Sequence, residues 1–176
     1  MLVQDLDRNP LACREGKQIP PVAEYVTVKP VLLLELQKSL EDVLGAKTAE
    51  FFYTAGSAWA RQELRRIRGA LSLEGSELAG TFCQRMGQLG WGSWRVADSG
   101  PTSLSMVVES GPIAKGYGSS DFPVCHLLCG MVASLAEAVL GGTASCTEIE
   151  CAATGSSSCS FLAEVQSADE GDAWSW

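Results

Sequence analysis

The sequence predicts an α+β domain in which an antiparallel sheet of hairpins packs against several helices. Three observations carry this. Stretches 31–45, 49–69, 76–90 and 124–142 read as helices, each ending at or beside glycine. Alternating stretches 91–100 and 102–111 flank a Gly-Pro turn at Gly100–Pro101, the pattern of an antiparallel hairpin. A second pair, 143–153 and 158–165, flanks the Gly/Ser-rich "ATGSSS". Helices, hairpin, helix, hairpin is the order of an α+β fold.

The elements follow in turn. Residues 1–22 carry Pro and charge without periodicity and read as a flexible N-terminal arm. Residues 23–166 form a single domain, and the acidic "QSADEGDAWSW" leaves 167–176 as a tail. "EYVTV", Glu24–Val28, alternates as a short strand would. Pro30 sits where the first turn of a helix tolerates it, Leu33, Leu36, Leu40, Val43 and Leu44 fall at helical spacing, and Gly45 stops the run. Val31 to Leu34 are four consecutive apolar residues, more than one helix face can bury against one core, so this helix and its neighbour are expected to form a homodimer.

The second helix gathers Arg61, Arg65, Arg66 and Arg68 near one surface, either for an acidic partner or as a solvated face. Ser76 has the chemistry of a cap for the third helix. In the first hairpin Trp91, Trp94, Met106 and Val108 line the faces. "GPIAKGYGSSDFP", Gly111–Pro123, reads as a loop, either lid or connector. The long helix after it ends at Gly141–Gly142, and its small residues Gly130, Ala133, Ser134, Ala136 and Ala138 permit close approach of another element.

Composition narrows the function. At 176 residues the chain can enclose a small ligand. A net charge of −8 argues against nucleic acid, whose phosphates need a basic face. No apolar run approaches the roughly 18 residues of a membrane span, and the N-terminal stretch lacks the pattern of a signal peptide. The expectation is a cytoplasmic protein whose seven cysteines are reduced thiols or metal ligands rather than a disulfide framework.

Those thiols concentrate in the last third. Cys125 stands at the start of the long helix, Glu148 and Cys151 at the end of a strand, and Cys159 at the start of the returning strand. A hairpin brings Cys151 and Cys159 together. Three thiolates and a carboxylate make a closed four-coordinate set that suits Zn²⁺. A regular strand would place Glu148 and Cys151 on opposite faces, so the ladder must break near Cys151. The other readings, small buried hydrophobes or a disulfide, remain open at this point.

"CHLLCGMVASLAEAVLGG…EIECAATGSSSCSFL" resembles the C-terminal signature of the 4-vinyl reductase domain family. The likeness is specific from Cys125 to Phe161 and looser, though order-preserving, from Tyr25 onward. It implies a fold similar to trafficking-particle subunits and haem–nitric-oxide sensor ligand-binding domains. In the family's phenol-sensing members a zinc is held by a Cys before the long helix, a Glu and Cys three apart, and a Cys eight further on. Cys125, Glu148, Cys151 and Cys159 fill those positions, which implies a structural zinc. Those sensors also use an upstream His to anchor the phenol hydroxyl, whereas the single histidine here is His126, beside an expected metal ligand.

Catalysis is not expected. No G-x-G-x-x-G follows a strand, no P-loop or nucleophile–base arrangement is visible, and a closed four-ligand zinc has no open position for water. The expected function is a binding module for a hydrophobic small molecule in a pocket near Trp59, Phe82, Trp91 and Trp94. From the resemblance alone that ligand is a tetrapyrrole, with an accessory role in chlorophyll metabolism or photosystem assembly. A 4-vinyl chlorophyllide reductase and a dimeric scaffold are the alternatives.

Overall fold

The computed structural model describes residues 28–166. The expected strand at Glu24–Val28, the arm and the acidic tail therefore lie outside, or all but one residue outside, the described residues. The elements are α1 (Pro30–Leu44), α2 (Lys47–Leu71), α3 (Gly75–Gln88), β1 (Ser93–Ser99), β2 (Ser103–Glu109), α4 (Pro112–Tyr117), α5 (His126–Leu140), β3 (Thr143–Glu150), a short 3₁₀ turn (Ala152–Thr154) and β4 (Cys159–Gln166). The strands form one antiparallel sheet in the order β1-β2-β4-β3. The predicted helices and both hairpins are present.

Alternation along the strands decides which face is covered. Trp94, Leu104, Met106, Val108, Phe161 and Ala163 are buried beneath α5 and α3, while the intervening residues of β2 and β4 are less covered. Helix α5 is buried from Leu128 to Ala136 and is apolar nearly all round, because the sheet lies on one side and α2 on the other.

The contact between α2 and α5 depends on small residues facing each other. A Cβ at Gly130 would run into the backbone of Tyr53 and Ser57, and one at Gly56 into the backbone of Leu127. The Ser57 and Ser134 hydroxyls hydrogen-bond across the same seam at 2.8 Å. The small residues of α5 thus do what the sequence suggested, and Gly56 is their counterpart on α2.

Three local readings are corrected. The buried residues of α1 are Leu34 and Gln37, while Leu36, Val43 and Leu44 are exposed. The helix is turned by polar anchors: the Gln37 amide donates to Val124 O, and the Tyr117 hydroxyl donates to Glu41. Ser76 lies inside α3 and is not its cap, since Glu74 is the N-cap and makes no side-chain cap bond. Segment 111–123 holds α4, whose Ile113 and Ala114 are buried, so its first half is packed structure rather than a free loop.

The arginines of α2 find their acidic partners within the chain. Arg61 pairs with Glu137 of α5 at 3.2 Å, and Arg68 with Glu74 at 2.7 Å. The buried Glu63 receives Arg66 of its own helix and Arg85 of α3, each at 2.9 Å. Glu63→Ala would leave both guanidinium groups beside a desolvated gap, so it is expected to lower stability by about 3 kcal/mol or more. Urea denaturation checks this, with Glu63→Gln as the volume-matched comparison. A loss below about 1 kcal/mol would place the pair among surface bridges of small effect.

Candidate metal centre and ligand cavity

Four residues from three parts of the chain converge at the N-terminus of α5. Cys125 is the N-cap residue, leaving the helix with non-helical backbone (φ −88°, ψ 42°). Glu148 sits near the end of β3, paired with Phe161 of β4. The register then slips between Glu148 and Glu150, which leaves Ile149 outside the ladder and 58% exposed. Past Glu150 the chain enters the 3₁₀ turn and reverses at Gly155, whose φ of 103° favours glycine. The slip and the turn bring Cys151 round to the side of Glu148, and Cys159 opens β4 opposite Val108. The ladder breaks where the sequence required it to.

The Sγ atoms of Cys125, Cys151 and Cys159 and a carboxylate oxygen of Glu148 all lie within 4.8 Å of one another, and all four residues are buried. Backbone amides point at them. Cys125 N–H donates to Glu148 Oε2 at 2.9 Å, and Ala152 N–H to Cys159 Sγ at 3.3 Å. The second Glu148 oxygen, Oε1, is buried without a hydrogen-bond partner.

Proton sharing within the set shows its strain. Hydrogen bonds to Cys151 and Cys159, together with burial, hold the Cys125 thiol protonated. Donation from Cys125 lowers the other two thiols. Burial pushes the Glu148 carboxyl up to about 9. Four acidic groups packed this closely cannot all ionise in a low-dielectric site without a compensating cation. The orphaned oxygen, the amides aimed at sulfur and the sulfur-rich donor set together fit a metal ion.

Cys129 and Cys146 stand outside this set. They belong to a separate groove of about 470 Å³, lined also by Tyr53, Phe122, His126 and Glu148. Burial lowers the His126 imidazole.

A larger cavity of about 620 Å³ lies between α3, the β1–β2 hairpin and the end of α5. Ala79, Gly80, Cys83, Trp94, Leu104 and Val139 contribute to its wall. Burial pushes the Cys83 thiol there up to about 11. Trp94 is the one residue of the expected aromatic set that lines this cavity. Phe82 is fully buried and meets Trp94 edge-on at 6.1 Å between centroids. Trp59 and Trp91 instead pack on each other at 6.5 Å. Sequence reasoning missed the small residues Ala79, Gly80 and Gly87, which make the space by what they lack.

These features define a small α+β domain that joins its longest helix to its last hairpin through three buried thiols and a carboxyl, beside an apolar cavity. Residues 104–165 match the vinyl-4-reductase (V-4-R) domain, so the family resemblance carried by Cys125–Phe161 holds across that part of the chain. No curated protein matches the sequence. Among solved structures, the phenol-responsive sensory domain of the transcription activator PoxR, bound to phenol, superposes with a TM-score of 0.70 at 18% identity, covering 80% of this chain and 76% of that one. A vinyl-4-reductase family protein from Methanocaldococcus jannaschii gives a TM-score of 0.55 at 18% identity, covering 81% and 85%. A trafficking protein particle complex subunit 3 from Naegleria fowleri, covalently bound to palmitic acid, gives 0.54 at 13% identity, covering 78% and 95%. At these identities the likeness is one of fold. Among the described residues no helix is long and apolar enough to cross a membrane.

Proposed function

We propose that this protein is a small-molecule-binding module whose fold is locked by a structural zinc on Cys125, Glu148, Cys151 and Cys159. The observation that carries the reading is the convergence of those four buried ligands around one point. Zinc suits three thiolates and one carboxylate because it accepts mixed sulfur and oxygen donors tetrahedrally without redox chemistry. When bound, the metal would supply the positive charge the cluster lacks, while the amides of Cys125 and Ala152 orient the carboxylate and the Cys159 sulfur.

The ligand belongs in the cavity beside Trp94. Its wall of small and apolar groups suits a hydrophobic molecule. The PoxR sensory domain binds phenol, but no histidine lines this cavity, and His126 lies in the other groove, so a histidine-anchored phenol is disfavoured. A tetrapyrrole, with an accessory role in chlorophyll metabolism, is the candidate taken from the family resemblance. The exposed Val31, Leu32, Leu36, Val43 and Leu44 of α1 supply an apolar face for a homodimer.

One native mass spectrum and one titration test these statements. The spectrum of protein purified without added zinc is expected to show one zinc per chain and a dimer. Saturable quenching of tryptophan fluorescence by a tetrapyrrole, weakened in Trp94→Ala and blocked in Gly80→Trp, is expected for the cavity. A metal-free folded monomer whose fluorescence responds to no hydrophobic ligand would overturn the reading.

A further inference from the structure

Cys129 and Cys146 are the thiols the metal cluster leaves over, and their position relates to it. Cys129 follows Cys125 by four residues on α5, and Cys146 precedes Glu148 by two on β3. Helical and strand periods therefore set Cys129 against Cys146 one step along the seam that holds Cys125 against Glu148. The two thiols hydrogen-bond to each other. Cys129 is 5% exposed, while Cys146 is only half-buried and faces the groove.

The groove meets the cluster at one residue. Glu148 lines it, whereas Cys125, Cys151 and Cys159 line neither this groove nor the larger cavity. Glu148 also holds the oxygen without a partner. A carboxylate is the most readily exchanged of the four ligands for a soft or borderline metal, since the other three are thiolates. The cluster is thus sealed by sulfur on its protein side and by its weakest ligand on the side where two further thiols wait.

We propose that Cys146 and Cys129 form a transient dithiol site for a thiophilic divalent cation, through which the cation reaches and leaves the buried cluster by way of Glu148. This rests on the metal reading above. The chemistry is ligand exchange without any redox change. Cys146 and then Cys129 replace water on an arriving cation, each releasing its proton to solvent. Glu148 takes the cation with its free oxygen, the three cluster thiols complete its shell, and the Cys129–Cys146 pair regains its protons. A pair that merely filled space along the seam would affect stability and leave exchange alone.

The test compares full-length wild-type protein with Cys146→Ala and with Cys129→Ser/Cys146→Ser. All three are expected to hold the same single zinc at equilibrium. Extraction of that zinc by excess EDTA is expected to be about tenfold slower in the double variant, a change of about 1.4 kcal/mol in barrier. Cys146→Ala, altered only at the half-buried position, keeps the measurement available if the double variant unfolds, and should also be slowed. Titrated with Cd²⁺, wild-type protein is expected to take up a second, weaker equivalent with added thiolate-to-metal absorption that both variants lose. Equal or faster extraction in the variants, with one Cd²⁺ equivalent throughout, would overturn the access route while leaving the metal site standing. Wild-type protein that binds no metal would overturn both.

Discussion

Cys159→Ser is expected to strip the protein of its metal and to lower its stability by roughly 3–5 kcal/mol or more, a large share of the 5–15 kcal/mol typical of a domain. Cys159 carries this weight because it opens β4, meets Cys125 at 3.7 Å between sulfurs and accepts the Ala152 amide. A serine hydroxyl is a poor replacement for a thiolate at such a site, and it leaves Glu148 and the remaining thiols as buried acids without compensation. Cys151→Ser should behave alike. Cys83→Ser is the control, a buried thiol in the cavity wall that should retain the metal. Metal analysis and thermal denaturation read both effects. Because ligands must give up protons to bind, acidification should release the metal from wild-type protein as well. Variants at Cys151 and Cys159 that kept metal and midpoint unchanged would end the structural-zinc reading.

Gly130→Ala is expected to be the most damaging single-methyl change in the molecule, at about 3 kcal/mol or more. The added carbon would collide with main chain of α2, which cannot swing aside as a side chain can. Helix propensity alone would favour Ala over Gly by about 1 kcal/mol. The sign of the result therefore separates packing from propensity. Gly69→Ala provides the contrast, because it lies within α2 with nothing inside 4 Å of the new carbon and should be neutral or slightly stabilising. Denaturant melts of the two variants decide it, and a neutral Gly130→Ala would mean that α2 and α5 can separate freely at this point.

How much of this was legible beforehand depended on the range of the interaction. Gly100–Pro101 and the "ATGSSS" bend are local signals, and both hairpins formed around them. The Glu148–Cys151 spacing was legible for a similar reason, since an odd offset on one strand demands a break, and the slip between Glu148 and Glu150 supplies it. The orientation of α1 was not legible. Its apolar spacing nominated Leu36, Leu40 and Val43, but the helix is turned by Gln37 reaching Val124 and Glu41 receiving Tyr117, partners 87 and 76 residues away. The cavity was half legible: aromatic density led to Trp94, yet the space itself comes from Ala79, Gly80 and Gly87 on α3, and small residues give no signal until something faces them.

The strand order carries a consequence for the making of the protein. β4 is the last of the four strands in the sequence, yet it lies inside the sheet, between β2 and β3. Until it emerges from the ribosome, β2 and β3 each present an open edge to whatever is near, and exposed edges recruit other strands. Cys159 is the first residue of that same strand. The segment that closes the sheet therefore arrives together with the final thiol of the cluster, so a nascent chain lacks both until one short stretch is translated. Ribosome-stalled chains ending before and after β4 should differ sharply in protease resistance, with the step falling at the completion of β4 rather than at α5.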